Sequence, residues 1–250
     1  MISRLTCLLT VLVFSGVSFA AQTPAQRQRT FAQLPDWTGI WMVDDGFWDP
    51  TGLRNDASGE LLLFKDLPLS AEGKKVLAES LKALAAQDSK TCSFYFPFVM
   101  ESPWPFEIVS TPEQTLFISG GGDIRHVYTD GRGHMPSDVR WPTPWGDSIG
   151  HWERATLVIE TIEVSSKAGA GVTGPGSKFI EHIRRVGKDR IEDAITMIDP
   201  TILTHPFTVT VPYRRLTMVD RLMQGDCMEN DRNPIVNGQV SVAPPDPTTH

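Results

Sequence analysis

From residue 106 onward the chain is dominated by short segments that alternate apolar and polar residues, and this alternation limits the fold more than any other feature. Phe207, Val209, Val211 and Tyr213 share one side of such a segment, with Thr208 and Thr210 on the other. A period of two is what a strand buried on one face requires. Segments 178–186 and 190–197 alternate too, and Gly187-Lys188-Asp189 between them reads as a hairpin turn. Segments 106–110, 115–119, 124–129 and 156–164 are also β-prone, and Gly120-Gly121-Gly122-Asp123 supplies a permissive turn. Roughly seven to nine strands on short connections, with no βαβ rhythm, describe a mainly β chain closing into an antiparallel β-barrel or sandwich.

Upstream, the pattern differs. Ser70 is a good N-cap for a helix running to Ala86, with Val76, Leu77, Leu81 and Leu84 at helical spacing. A first strand is expected around residues 35–42, with Trp37, Gly39 and Trp41 on one face. Residues 22–34 are Gln-rich and aperiodic and read as a flexible leader; 233–250 reads as a disordered tail, leaving 35–232 as one domain.

Residues 1–21 have the form of a cleavable signal peptide. Arg4 supplies the charge, an apolar run of roughly 15 residues follows, and Ser18-Phe19-Ala20-Ala21 offers small residues at the cleavage site. That run is shorter than the about 20 residues a membrane-spanning helix needs, and no later stretch is apolar enough to span. The expected destination is the periplasm or the exterior. There, Cys92 and Cys227, the two cysteines left after cleavage, read as a disulfide; two buried free thiols are the alternative. The net charge of −7, with basic residues scattered, argues against nucleic acid or an anionic membrane as partner.

Chemistry-bearing residues concentrate between 126 and 153. His126, Tyr128, Asp130, Arg132, His134, Trp141, Trp145, Asp147, His151 and Trp152 all fall there. A histidine beside a carboxylate transfers protons near neutral pH. Ile124, His126 and Tyr128 share a strand face, and if that face lines the barrel, His126 and Tyr128 point inward. The 178–186 strand poses a similar choice, with Glu181 on one face and His182 on the other. An inward charge is costly unless paired or hydrated. A ligand cavity is one reading, and an internal ion pair such as Arg184 with Glu160 is the other. Phe96 and Phe98, in a proline-broken aromatic stretch, suit either core or pocket wall.

Other chemistries fit less well. The spacing of the histidines matches no metal motif, Ser148 is not in a nucleophile elbow, and the triple glycine is followed by a strand where a phosphate loop needs a helix.

The order of motifs resembles a large, mostly uncharacterised family of exported bacterial proteins. The matching segments are Pro35-Asp36-Trp37-Thr38-Gly39-Ile40-Trp41, Tyr128-Thr129-Asp130-Gly131-Arg132-Gly133-His134, Gly150-His151-Trp152-Glu153 and Thr156-Leu157-Val158-Ile159-Glu160-Thr161. That family commonly carries histidine where Asp147 stands. Gly39-x-Trp41 also looks like the opening of a lipocalin, which implies a barrel with a small apolar molecule at its mouth.

The function expected from these readings is cofactor-free general acid/base chemistry on a small apolar or aromatic molecule, of isomerase, lyase, cyclase or hydrolase type. His126, Tyr128, Asp130, His134, His151, Glu181 and His182 would be catalytic. Trp41, Arg132, Trp141, Trp145, Trp152, Phe96, Phe98 and Glu160 would bind the ligand. A carrier using the same cavity without turnover is the alternative, and a purely structural envelope protein is the third.

Overall fold

The computed structural model describes residues 23–44, 67–86, 105–120, 122–165, 172–174, 176–223, 235–236 and 239–240. Residues 1–21, Cys92, Phe96, Phe98 and Cys227 lie outside the described residues, and so do the expectations attached to them.

Nine strands of the described residues form a closed barrel. They are β1 (Ile40–Val43), β2 (Phe106–Ser110), β3 (Gln114–Ser119), β4 (Ile124–Tyr128), β5 (Asp147–Glu153), β6 (Thr156–Ile162), β7 (Lys178–Arg185), β8 (Arg190–Ile198) and β9 (Phe207–Arg215). Each pairs with the next, and β9 pairs back onto β1, with Trp41 opposite Arg215 and Val43 opposite Tyr213. All neighbours are antiparallel except β4 and β5, which run parallel with Val127 opposite Ser148. Two parallel neighbours cannot be joined by a hairpin. Residues 129–146 therefore return along the outside of the barrel, and Thr143 pairs with Val164 on the way.

The strands form where the alternation placed them. In β8, Ile191, Asp193, Ile195 and Met197 are buried in strict alternation. Around them pack Trp41, Phe117, Leu157, Phe179, Ile183, Val211 and Tyr213, all at or below 1% exposure. Each such large side chain contributes about 1.5–3 kcal/mol of burial free energy.

Both barrel ends are covered. One end carries helix α2 (Ala71–Ala86), labelled after α1 (Pro24–Phe31) at the other end. The Ser70 hydroxyl accepts from the Gly73 N–H at 3.0 Å and donates to the Thr201 carbonyl at 2.5 Å. It thus caps α2 and ties it to the β8–β9 loop, while Leu69, Val76 and Leu77 pack on the core. At the opposite end Trp37 meets Trp152 edge-to-face with centroids 5.1 Å apart. Trp41 donates its indole N–H to the Trp37 carbonyl at 3.1 Å.

Three local expectations change. The stretch read as a flexible leader holds α1, which a capping box starts: Thr23 accepts from Gln26 N–H, and Gln26 accepts from Thr23 N–H. None of its residues is fully buried, so capping, not apolar periodicity, marks it. The expected disordered tail contains an antiparallel pair, Ile235–Val236 with Gln239–Val240. The first strand begins at Ile40, because Gly39 turns the chain at φ +133°. Among the described residues no helix is long and apolar enough to cross a membrane.

Candidate functional site

The geometry of β4 inverts the expected face. Arg125 and Val127 are buried inside the barrel, while Ile124 and His126 are exposed and Tyr128 is half-buried on the outer side. His126 contacts Gln114 Oε1 through Nδ1 at 3.1 Å. On β7, Glu181 points inward and His182 outward. His151, on β5, is exposed beside Glu153 at 3.1 Å. His151 lies opposite Val158, and Val158 opposite His182, so valine separates the two imidazoles on the outer wall. The histidines therefore do not converge on an interior hollow. Among the described residues no three His, Cys, Asp or Glu side chains gather to hold a metal.

What the interior does hold is a polar belt. Thr115, Arg125, Ser148, Thr161, Glu181, Asp193 and Tyr213 are all buried, one from each strand β3 to β9. Arg125 donates to both Glu181 oxygens, through Nη1 to Oε1 at 2.9 Å and through Nη2 to Oε2. Nη2 also reaches Thr161 Oγ1 at 2.9 Å, and Nε reaches Ser148 Oγ at 3.4 Å. Burial opposes the Arg125 charge, but the Glu181 carboxylate outweighs it, assisted by Asp193 and Tyr213, and the guanidinium pKa lies above its ordinary value. The internal ion pair thus exists with different members from those expected: Arg184 is outside with Glu192, and Glu160 is outside with Lys178. Glu181 is committed to Arg125 and is not placed to move a substrate proton.

The Tyr128-to-His134 motif folds at the α1 end and onto the outer wall. Arg132 forks onto Asp130, Nε to Oδ1 at 2.9 Å and Nη2 to Oδ2 at 2.7 Å, and its guanidinium lies 4.2 Å from the Tyr128 ring centroid. The hydrogen bond from Arg132 holds the Asp130 carboxyl below its usual range; partial burial opposes this, and Arg27 adds to it. Two residues on, His134 is half-buried between two carboxylates. Its Nδ1 lies 3.0 Å from Asp147 Oδ2 and its Nε2 3.2 Å from Glu160 Oε1. Met135 N–H donates to the same Asp147 oxygen, and Arg140 Nε to Glu163 Oε1 at 2.9 Å. Together these contacts pin the 129–146 crossover to β5 and β6.

A cleft opens between α1 and the barrel end. Phe31, Leu34, Pro112 and Trp152 give it apolar walls; Arg27, Thr30, Thr111 and Thr129 give it a cation and three hydroxyls. Its volume is about 30 Å³, room for water-sized guests while α1 stays in place. Trp152 thus lines the cleft. Trp41 does not; it sits fully buried in the core beneath Arg215. Trp145 packs on the core and bonds Asp123, while Trp141 is 69% exposed on the crossover.

The chain matches no family model, no curated protein and no solved structure. Its site must be read from its own geometry. Sequence reasoning missed Arg125, although Arg125 and Val127 share a face and a buried Val127 forces the arginine inward. It also missed Arg27 and Phe31, which lie in the segment taken as a leader.

Proposed function

We propose that this barrel is a binding protein for a small apolar or aromatic molecule, held against Trp152 in the cleft between α1 and the barrel end. The cleft's composition carries the reading: aromatic and aliphatic walls with a few convergent polar groups are what small-molecule sites use. No residue of α1 is fully buried, and admitting a ring requires this helix to move outward, since the cleft as it stands holds only a water-sized guest. We include in this proposal export to the envelope, on the basis of residues 1–21, and kinship with the exported family that the Tyr128-to-His134 motif resembles.

The test uses the indole N–H resonances of the seven tryptophans. Titration with benzyl alcohol is expected to shift, saturably, the signal that Trp152→Phe removes. No saturable shift at that signal refutes the proposal.

A catalytic reading has one observation in its favour, the Asp147 carboxylate on Nδ1 of His134, which orients an imidazole as acid/base histidines are oriented. Catalysis there requires Glu160 to leave Nε2, and Lys178, 3.1 Å from the other Glu160 oxygen, provides an alternative partner. His134 does not line the cleft, so this reading needs a substrate at the outer wall, and turnover that is lost in His134→Gln would favour it. Binding without turnover leaves the carrier.

A further inference from the structure

The 129–146 crossover is tied to the barrel at several points. Met135 N–H donates to Asp147 Oδ2 at 2.9 Å, Arg140 Nε donates to Glu163 Oε1 at 2.9 Å, and Thr143 pairs with Val164. Within the crossover, Val139 N–H donates to the Pro136 carbonyl at 3.1 Å and Arg140 Nη1 to the Met135 carbonyl at 3.1 Å. These bonds fold residues 135–141 into a small knob. Its apolar side chains nevertheless face water: Met135 is 49% exposed, Val139 47% and Trp141 69%. One exposed apolar residue is ordinary, whereas three on a single pinned segment make a patch.

The size and backbone of the knob narrow what can cover it. Three side chains, the tryptophan offering at most about 250 Å², fall short of the roughly 800 Å² per partner that a stable protein interface buries. Pro136, Pro142 and Pro144 lack backbone N–H groups, so the segment offers no continuous strand edge to a peptide or a second copy. Attachment to a lipid surface needs no such edge, and its strength grows with the apolar area inserted. Tryptophan suits the headgroup level in particular, having an apolar ring and a polar N–H.

Charge sets the kind of surface. The two arginines of the crossover are each engaged by an acid, Arg132 by Asp130 and Arg140 by Glu163, and Asp138 is exposed beside Val139. With a net charge of −7, the chain as a whole is repelled by anionic lipid.

We infer that the knob of Met135, Val139 and Trp141 seats the barrel on a zwitterionic phospholipid surface, with Trp141 entering at the headgroup level. The contact is peripheral and reversible, weaker than the about 10⁴ M⁻¹ that one myristoyl chain gives. It belongs to the outer wall and does not depend on the α1 cleft. Because the knob is already folded, docking has little chain left to order.

Phosphatidylcholine vesicles with brominated acyl chains test this, since bromine quenches indoles that enter the bilayer surface. The full chain is expected to show saturable quenching as lipid is added. Trp141→Ser should abolish that quenching and lower co-sedimentation with the vesicles about tenfold. Met218→Ser, at an 87% exposed position outside the crossover, should change neither. Admixed phosphatidylserine should weaken the binding. Absence of quenching overturns the inference, as does quenching that survives Trp141→Ser or binding that appears only with phosphatidylserine. Self-association that Trp141→Ser removes, without lipid binding, also overturns it and assigns the knob to a second copy of the chain.

Discussion

Arg125 of β4 and Glu181 of β7 meet across the barrel interior, guanidinium fork on carboxylate, each about 1% exposed. They come from strands three apart, so the pair spans the inside of the barrel instead of following its wall. Removing water from two charges costs several kcal/mol each, recovered only because the fork, Ser148 and Thr161 satisfy the guanidinium. Breaking such a pair from one side is expected to cost about 3–5 kcal/mol. Arg125→Met should be worse than Glu181→Gln, because glutamine keeps an acceptor for the guanidinium whereas methionine leaves the Glu181 carboxylate buried without the cation it pairs with. Urea unfolding of the two variants checks the order, and equal midpoints would refute it.

His134 makes a different prediction, local instead of global. Its two carboxylate contacts and the Met135 N–H bond to Asp147 hold the crossover against the wall. His134→Ala deletes the clamp but removes nothing from the core. Loss of these partly exposed bonds should cost about 1–2 kcal/mol. Amide exchange should accelerate across residues 133–146 while β6 to β8 keep their protection. Uniform acceleration throughout the barrel would contradict the clamp.

The contrast between these two sites shows what the sequence discloses. β7, β8 and β9 were legible because Phe179, Ile183, Ile191, Ile195, Val211 and Tyr213 keep the period of two through long hairpin-linked segments. β4 was legible as a strand but not as a face. Ile124-Arg125-His126-Val127-Tyr128 offers apolar residues on both sides, and a shift of one residue reverses every side chain. The decision comes from Glu181, which a buried Arg125 satisfies and a buried His126 would not. β5 escaped because Gly150 interrupts it; a Cβ there would sit 2.9 Å from the Val158 carbonyl oxygen and 3.0 Å from Val127. Close approach to two neighbouring strands, not a turn, explains that glycine. The outer-wall cluster was readable as a set of residue types, yet its use depends on a crossover whose path follows from one parallel pairing.

Asp123 gives the pH dependence. It sits in the β3–β4 turn with Oδ2 buried and without a hydrogen-bond partner. Burial pushes its carboxyl above the usual value, and a hydrogen bond from Trp145 opposes this only in part. A carboxyl whose pKa is higher in the folded state disfavours folding wherever it is ionised. The penalty is full above the folded pKa and disappears as pH falls below the unfolded value near 3.8. Asp123→Asn keeps an acceptor for Trp145 and removes the charge. It should stabilise the protein at pH 7, by under about 1 kcal/mol once solvent screening is discounted, and leave stability at pH 3 unchanged. Thermal unfolding at the two pH values tests the sign, and a neutral-pH loss would reject it.

The closure of β1 on β9 is the last place where one residue decides a contact. Gly39 adopts φ +133°, which L side chains rarely take, and a Cβ on it would lie 2.2 Å from Arg215 Nη1. That guanidinium stacks 4.5 Å from the Trp41 ring centroid and donates to the Thr38 carbonyl. Gly39→Ala therefore strains the backbone and displaces the arginine together, at an expected cost of about 1–3 kcal/mol. Arg215→Ala alone loses the stacking, worth about 0.5–2 kcal/mol. Because the first change already dislodges the second residue, the double variant should cost less than the two single losses combined. Equilibrium unfolding of all three, followed by near-ultraviolet dichroism of the buried indole, measures the coupling. Strict additivity would mean that Gly39 and Arg215 act independently, and that the glycine is there for the turn alone.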